Sequence, residues 1–312
     1  MSDILKRIDE AKHITVIAHV NPDADSLGSA SAMYTHLLRL HKKVSFFCVS
    51  ENINQQLSFL PWFDKIRNSF PSSSDLAISL DCSSIDVIGV DLTCDLINVD
   101  YHDNNTKFGS LFLVDSNCIS TTEVVYNLFT KNKIPINKKM ATALYAGLLE
   151  NSNGFLSDEV DGTIFAVVSE LIMHGADYKK CNQFVMKYLT LGALRIKGIM
   201  LTNMQLFNEA RIAVFCVSDD EIKMSGAAGT DCEYVLEEAL YLPTVKVAFL
   251  LRQNTDFSIK CSLRSKNTLD VSVIASFFGG SGHHGRAEFN LKERTSSEGL
   301  KVEILKLINK EI

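Results

Sequence analysis

The sequence lacks the long apolar runs of a membrane protein and the excess of positive charge of a duplex-DNA-binding protein. No unbroken apolar stretch approaches the roughly 18 residues that a membrane-spanning helix needs. The formal net charge of −6 at pH 7 argues against a broad basic face, although a few local cations could hold a short nucleic acid. The first residues, MSDILKRIDEAKH, predict an amphipathic helix rather than a signal peptide, because no apolar region follows the early basic residues.

The eight cysteines include no CxxC pair and are scattered along the chain. Neither a disulfide framework nor a zinc cluster has such spacing, so we expect reduced core cysteines in a cytoplasmic protein. The rest of the composition is ordinary, with 46% hydrophobic and 22% charged residues among 312. A chain of this length can bury a sizeable core and suggests two domains.

Short apolar runs alternate with helix-like segments in the first half of the chain. The runs are rich in β-branched and aromatic residues, which is typical of buried strands in a parallel sheet. They are residues 14–20, 44–50, 76–81 and 96–101. This alternation predicts βαβ units, which bind their ligands at the carboxyl ends of the strands.

The pattern becomes helical from about residue 121 to about residue 207, and strand-like runs return after it. These later runs are residues 211–218, 245–252 and 257–263. We therefore predict an α/β fold in which a parallel-sheet domain (1–190) is joined by a connecting helix (191–208) to a smaller α/β domain (209–312). Four histidines outside the motifs are expected at the surface or at helix ends, namely His13, His36, His41 and His174.

The most informative segment, HVNPDADS at residues 19–26, lies where the first predicted strand ends. His19, Asp23 and Asp25 could converge on metal ions from this one strand-to-helix turn. Imidazole and carboxylate oxygens suit Mn²⁺, with Mg²⁺ as the alternative at an oxygen-rich position. The two acids could instead only cap the helix, with Pro22 starting a turn.

Two more strand ends carry similar side chains. Asp81 closes the run 76–81, and Asp100 and His102 lie at the end of the run 96–101. In a parallel sheet these ends lie on the same edge as His19, and helix capping does not explain such a coincidence. The three strand ends together therefore predict a metal site.

These segments resemble motifs of the DHH phosphoesterase superfamily, which contains RecJ-type exonucleases, nanoRNase-type oligoribonucleases, cyclic-dinucleotide phosphodiesterases and family II pyrophosphatases. HVNPDADS, the strand ending in Asp81 and DYHDNNTKFG are similar to its first three motifs. SLRS at 262–265 and FGGSGH at 278–283 resemble motifs of the associated C-terminal substrate-binding domain. The resemblance covers essentially the whole chain and is strongest to the stand-alone oligoribonuclease and pAp phosphatase branch.

The resemblance implies a role for each matched residue of the first domain. His19 and Asp23 would bind one metal ion, and Asp81 would bridge it to a second ion. Asp25 would belong to the second site. His102 would face the scissile phosphate, and Asp100 would orient its neighbours. Two ions roughly 3.5–4 Å apart can activate a water and neutralise charge on the phosphoryl oxygens.

The other matched residues are implied to bind substrate. They are Asn105, Arg264, Ser265, Gly280, Gly282, His283 and His284. Glycines allow a backbone to approach a phosphate closely, and the planar fork of Arg264 could hold another phosphate. The alternative interpretation is that the glycine run is only a flexible loop between a helix and a strand.

The chain departs from the superfamily at two positions of the second metal site. Tyr101 occupies the middle of the Asp-His-His triplet, and Asn151 aligns with an aspartate that a fourth motif usually supplies. A protonated phenol and a neutral amide are weak ligands, so we expect one tight site and a weak second site. Glu150 could replace the lost carboxylate, but its side chain is expected to leave the helix in a different direction.

Together these features predict a metal-dependent phosphodiesterase or exonuclease that hydrolyses short single-stranded RNA or DNA to nucleoside 5′-monophosphates, with pAp as a second substrate. The site is expected in the cleft between the domains, and no membrane contact is expected. The alternatives are a nucleotide- or nucleic-acid-binding paralogue with little hydrolytic activity, and a cyclic-dinucleotide phosphodiesterase. A homodimer is compatible with the sequence, which does not set the oligomeric state.

Overall fold

The computed structural model describes residues 2–266, 269–292 and 296–311. The chain forms two compact units, Met1–Tyr188 and Leu189–Ile312, each built on one six-stranded sheet. The predicted α/β class is therefore confirmed. Within the described ranges, none of the helices combines the length and the apolar character that crossing a bilayer requires.

The sheet of the first unit is parallel throughout, with strand order β3-β2-β1-β4-β5-β6. Its strands are β1 (His13–Ala18), β2 (Lys43–Phe47), β3 (Ile66–Arg67), β4 (Leu76–Leu80), β5 (Asp95–Asp100) and β6 (Leu111–Val114). The chain first builds outward from β1 to β3 and then returns to add β4 on the other side of β1. The order reverses between β1 and β4, and ligands of open α/β sheets bind at such a switch point.

The main core of the first unit lies between one face of this sheet and the helices α2, α3 and α4. The helices are α1 (Ser2–Glu10), α2 (Ala24–Arg39), α3 (Thr121–Lys131), α4 (Lys138–Asn151), α5 (Gly162–Met173) and α6 (Tyr178–Cys181), which continues as a π-helical segment (Asn182–Lys187). A smaller cluster around Phe47 and Ile88 covers the opposite face. Because α2 follows β1 directly, this packing fixes the start of α2 at the carboxyl edge of the sheet.

The second unit has a mixed sheet with strand order β11-β12-β10-β9-β8-β7, in which only β8 and β9 pair in parallel among the described residues. Its elements are α7 (Leu191–Thr202), β7 (Gln205–Phe207), β8 (Ile212–Ser218), α8 (Asp219–Ser225), α9 (Gly229–Glu238), β9 (Val247–Gln253), β10 (Ile259–Ser265), α10 (Val271–Phe277), β11 (Ser281–His283), β12 (Arg286–Leu291) and α11 (Ser297–Glu311). Each face of this sheet has its own apolar core, so the unit has three layers.

Three local features differ from the sequence-based expectations. The stretch predicted as helical to about 207 is interrupted after Lys187, and α7 begins anew with Thr190 as its N-cap before the chain enters β7. His13 is buried in a strand rather than at the surface or a helix end, whereas His36 is buried but lies in the last turn of α2, at a helix end as expected. The ring of His13 is accommodated because both of its nitrogens find serine hydroxyl partners.

The third difference concerns the glycine run, which forms a hairpin strand rather than a loop. In β11, Gly282 pairs with Ala287 of β12 and has a φ of 157°. A Cβ on Gly282 would lie 2.4 Å from the Cα of Ala287, and one on Gly280 would lie 2.3 Å from the carbonyl oxygen of Glu288. Close packing of two strands therefore accounts for these glycines.

Candidate active site

Three of the predicted ligands meet at the switch point of the parallel sheet. His19 follows β1, Asp23 is the N-cap of α2, and Asp81 comes directly after β4. Because β1 and β4 are parallel neighbours, their carboxyl ends lie side by side. We call His19, Asp23 and Asp81 the primary cluster; one donor atom from each lies within 4.8 Å of the other two.

The imidazole of His19 faces both carboxylates of the primary cluster. Its Nε2 lies 3.4 Å from Oδ2 of Asp81 and 3.9 Å from Oδ1 of Asp23. On the other side of the ring, Nδ1 donates to the carbonyl oxygen of Val20 at 2.8 Å. This hydrogen bond favours the tautomer whose Nε2 lone pair faces the carboxylates, as in histidines that bind metals.

The primary cluster concentrates negative charge. Burial disfavours protonation of His19, but the hydrogen bond to Asp81 and the charges of Asp81 and Asp23 outweigh it and raise the pKa of His19 to about 9. Burial and the charge of Asp81 also raise the pKa of Asp23. Carboxylates this close repel one another, so the cluster favours a proton or a metal cation between them.

Asp81 has a backbone conformation that is uncommon for residues other than glycine. Its φ of 62° lies in the left-handed region, and its N–H donates to the carbonyl of Val99 at 3.0 Å. Such conformations concentrate at functional sites, where the surrounding structure holds them. One carboxylate oxygen of Asp81, Oδ1, accepts from the hydroxyl of Thr121 at 2.8 Å, while Oδ2 faces His19.

Thr121 is a site residue that the sequence reasoning does not identify. It is the first residue of α3, which has Ser120 as its N-cap. Glu123 completes a reciprocal arrangement, because its N–H donates to the hydroxyl of Ser120 and its carboxylate accepts from the N–H of Ile119. The S-x-x-E pattern signals a helix start. The pattern does not tell which strands have their ends next to the start of this helix.

His102 and Asp100 form a second group with Asp81. Nδ1 of His102 lies 2.8 Å from Oδ1 of Asp100 and 3.9 Å from Oδ1 of Asp81. The hydrogen bond to Asp100 raises the pKa of His102 against the effect of burial, and the charges of Asp100 and Asp81 add to the rise. Asp100 is completely buried, so it holds the His102 ring in one orientation.

Asn105, predicted to contact substrate, is turned into the protein. Its Nδ2 donates to Oδ2 of Asp100 at 2.6 Å, to the side chain of Asn98 at 2.9 Å and to the carbonyl of Cys82 at 3.0 Å. The residue is only 9% exposed. These bonds use its amide to hold Asp100, and a contact with substrate would require them to break.

Asp25, predicted at the second metal site with Asn151, lies outside both groups of closely spaced histidine and carboxylate donors that the described residues form. Asp25 is completely buried and accepts the backbone N–H groups of Thr121 and Thr122, each at 2.8 Å. Nδ2 of Asn151 donates to Asp25 at 3.1 Å. In the structure Asp25 therefore caps α3 and binds Asn151.

Glu150 lies at the edge of the site, contrary to the expectation that its side chain leaves α4 in another direction. Its carboxylate accepts the backbone N–H of Ala24 in the first turn of α2. Burial and the charge of Asp23 raise the pKa of Glu150 to about 7. Glu150 thus acts as an additional cap of α2 next to the primary cluster.

The primary cluster fits a divalent cation, whereas the predicted second position does not. One imidazole and two carboxylates supply the nitrogen and oxygen donors that Mn²⁺ accepts, and Mg²⁺ is the oxygen-preferring alternative. At the second position, burial and the charges of Asp81 and Asp25 raise the pKa of the Tyr101 phenol. A neutral phenol and the neutral amide of Asn151 bring no charge to balance a second cation.

In the second unit, the guanidinium of Arg264 is committed to two carboxylates. Its Nη2 lies 2.8 Å from Glu233 and its Nε lies 3.2 Å from Glu237, both on α9. The Arg264 side chain is only 5% exposed. Ser265, also predicted to bind substrate, is buried, and its hydroxyl accepts from the N–H of Leu269 at 3.2 Å.

The remaining predicted substrate residues lie at the surface of the second unit. Gly280 ends the turn after α10, and its N–H donates to the carbonyl of Ala275 at 2.8 Å. Gly282 and His283 belong to β11, and His284 lies in the turn between β11 and β12. Exposed imidazoles beside an edge strand are available to an anionic ligand.

The fold and the site define the class. The switch point of the parallel α/β sheet holds histidines and carboxylates, and this donor set fits a divalent cation. The protein is a metal-dependent phosphoesterase, a hydrolase acting on phosphodiester bonds. More particularly, residues 13–148 match the family described as DHH family, N-terminal domain. The match covers residues 13–148, which hold the first three motifs named in the sequence, and it includes the whole primary cluster.

Known proteins support this assignment along nearly the entire chain. The chain is 23% identical over 296 residues to the bifunctional oligoribonuclease and PAP phosphatase NrnA of Thermus thermophilus, covering 94% of this chain and 87% of the relative. Its fold is similar to that of an exopolyphosphatase-related protein from Bacteroides fragilis (TM-score 0.86, 23% identity, 99% and 96% coverage). It also resembles RecJ of Thermus thermophilus, solved with Mn²⁺ (TM-score 0.57, 14% identity, 99% of this chain and 54% of RecJ).

Proposed function

We propose that the protein is a metal-dependent phosphodiesterase that hydrolyses short single-stranded oligonucleotides to nucleoside 5′-monophosphates and also removes a phosphate from pAp. The observation that carries the proposal is the primary cluster at the switch point, next to a histidine that a buried carboxylate orients. The similarity to an oligoribonuclease and PAP phosphatase over 94% of the chain supports this choice of substrates. An acidic chain suits short substrates, since affinity for long nucleic acids grows with the number of phosphates neutralised.

Each residue of the site has a distinct task in this proposal. His19, Asp23 and Asp81 would hold a Mn²⁺ or Mg²⁺ ion, which when bound supplies an activated water and neutralises phosphoryl charge. The Nδ1 hydrogen bond of His19 keeps its Nε2 directed at the two carboxylates. His102, held by Asp100 through Nδ1, would present Nε2 to the scissile phosphate, and its raised pKa favours the protonated ring.

The second unit would hold the substrate through its exposed cations. His283 and His284 lie in the hairpin of β11 and β12, and the guanidinium of Arg286 is 59% exposed on the same hairpin. These three side chains can donate hydrogen bonds to phosphate oxygens. All eight cysteines are free thiols, which fits the proposed cytoplasmic location.

An assay of the purified protein with Mn²⁺ against short RNA, short DNA, pAp and a cyclic dinucleotide tests the proposal. Asp81→Asn should lower kcat/KM for the preferred substrate by about 10²-fold or more, because the neutral amide removes a charge from the primary cluster. Asp86→Asn changes an exposed aspartate five residues further on and is the matched control, with an unchanged rate.

The assay also separates the alternatives. An Asp81→Asn variant as active as the parent would remove the primary cluster from the reaction. Tight oligonucleotide binding without turnover at any Mn²⁺ concentration would establish the binding paralogue instead. Turnover confined to the cyclic dinucleotide would replace the oligonucleotide as substrate.

A further inference from the structure

The carboxylate of Asp25 accepts hydrogen bonds from protein donors at the position where a second metal ion is implied by the resemblance. Its Oδ1 accepts from the N–H of Thr122 at 2.8 Å. Its Oδ2 accepts from the N–H of Thr121 at 2.8 Å and from Nδ2 of Asn151 at 3.1 Å. A carboxylate has roughly four acceptor positions, and three are filled here. The positive end of the α3 dipole adds to this compensation.

Asn151 is held in one orientation from both sides. Its Nδ2 donates to the carbonyl of Ile119 at 3.1 Å as well as to Asp25. Both neighbours can only accept, so the amide NH₂ group, not the amide oxygen, must face them. Asn151 is the last residue of α4, which packs along α2, so the backbone that carries the amide is fixed too.

The oxygen of Asp81 that does not face His19 is also occupied. The hydroxyl of Thr121 donates to Oδ1 of Asp81 at 2.8 Å, whereas Oδ2 faces His19 in the primary cluster. Asn151, one of the two substituted positions, thus belongs to a continuous network with Asp25, Thr121 and Asp81. The network supplies three donors to Asp25 and one to Asp81 without a cation at the second position.

We propose that this hydrogen-bond network replaces the second metal ion, so that the protein works with a single divalent ion at the primary cluster. The inference rests on the proposed function for the role of the primary cluster. An aspartate at position 151 would place a second negative charge against buried Asp25 and would need a cation to offset the repulsion. The amide instead brings N–H donors of partial positive charge, and this half of the site is complete without metal.

Metal counting combined with thermal melting of the full-length protein tests this inference. Four proteins are dialysed against EDTA and titrated with Mn²⁺ by calorimetry, and bound metal is measured on the same samples. They are the parent, the single variant Asn151→Asp, the double variant Tyr101→His with Asn151→Asp, and the control Asn153→Asp. Asn153 is exposed and two residues beyond the network, so Asn153→Asp adds the same charge without touching Asp25.

We expect about one tightly bound Mn²⁺ per chain in the parent and in Asn153→Asp, and about two in the double variant. Metal-free Asn151→Asp should melt at a lower temperature than the metal-free parent and Asn153→Asp, and Mn²⁺ should raise its melting temperature more than it raises theirs. If the double variant is not recovered folded, the metal count of the parent and the melting temperature of Asn151→Asp still test the inference.

Two equally tight ions in the parent would overturn the inference, as would a metal-free Asn151→Asp protein that melts at the parent temperature. Failure of the proposed function looks different. In that case the parent hydrolyses none of the substrates at any Mn²⁺ concentration, while its metal count and the melting differences stay as expected here.

Discussion

At the scale of single residues, several site side chains perform two tasks at once. Asp23 is the N-cap of α2, with its Oδ1 accepting the N–H of Ser26 at 2.9 Å, and the same oxygen lies 3.9 Å from Nε2 of His19. Helix capping and metal binding compete as explanations of the motif in the sequence, and the geometry of Asp23 is compatible with both. The cap holds the carboxylate in place before an ion binds, which reduces the ordering cost of binding.

In the second unit, the guanidinium of Arg264 is already paired with carboxylates of the protein. A buried guanidinium paired with Glu233 and Glu237 stabilises the junction of β10 and α9. A substrate phosphate would have to compete with two carboxylates for it. The SLRS motif at 262–265, which suggests phosphate binding, therefore also has a structural explanation.

Arg264→Ala should lower the free energy of unfolding by about 2–4 kcal/mol, because it leaves the partly buried Glu233 without its cationic partner and Glu237 with only the more distant Arg286. Urea denaturation followed by circular dichroism measures this change. Arg286→Ala is the control: its guanidinium is 59% exposed and 3.7 Å from Glu237, so the loss should stay below about 1 kcal/mol. Unchanged stability together with weaker oligonucleotide binding in Arg264→Ala would instead identify Arg264 as a phosphate contact.

At the scale of elements, α2 links the site to the core of the first unit. Its first turn carries Asp25, and its last turns are buried against α3 and α4. His36 lies in this buried part, with its ring centroid 5.3 Å from that of Phe129. Burial and the charge of Arg39 lower the pKa of His36 from 6.5 to about 4. The helix therefore contains a histidine that must be neutral for the native packing.

Stability should consequently fall as the pH is lowered from about 6.5 to about 4. In this window His36 is protonated in the unfolded chain but neutral in the folded protein, so protons favour unfolding. A difference of 2.5 pKa units (6.5 − 4) corresponds to about 3 kcal/mol at most. Denaturation at pH 7 and pH 4.5 should show a smaller loss for His36→Phe than for the parent. His174→Gln, at an exposed position, should behave like the parent, and equal losses in all three proteins would contradict the assignment.

At the scale of the whole molecule, the two units divide the predicted tasks. The primary cluster, His102 with Asp100, and the Asp25–Asn151 network all lie within Met1–Tyr188. The helices and strands that position these residues belong to the same unit and share one core. The exposed histidines and Arg286 of the proposed substrate contacts belong to Leu189–Ile312.

The fragment 1–188 should therefore bind Mn²⁺ with the stoichiometry and affinity of the full chain. Every proposed ligand and the hydrogen bonds that hold it are retained, whereas the substrate contacts of the second unit are lost. Calorimetry with Mn²⁺ and an oligonucleotide binding assay on the fragment measure both properties. A folded fragment that bound no Mn²⁺ would show that the second unit contributes to the metal centre.

The sequence by itself predicted the parallel strands β1, β2, β4 and β5 and the residues at the ends of three of them. Apolar runs and turn signals are local properties, and a parallel βαβ order places the strand ends on one edge without further information. The primary cluster follows directly from this logic. The expectation that Tyr101 and Asn151 weaken a second metal site comes instead from the resemblance to the DHH superfamily.

Only the tertiary structure decided which partners these residues have. Thr121 and Asp81 are 40 positions apart in the chain, and Asn151 and Asp25 are 126 apart, so no local pattern relates them. The same holds for Arg264, which looks like a free cation in the sequence until α9 packs its two glutamates against β10. Hydrogen bonds and ion pairs between distant elements depend on how helices pack on sheets, and this packing is determined by the whole core rather than by the residues that meet.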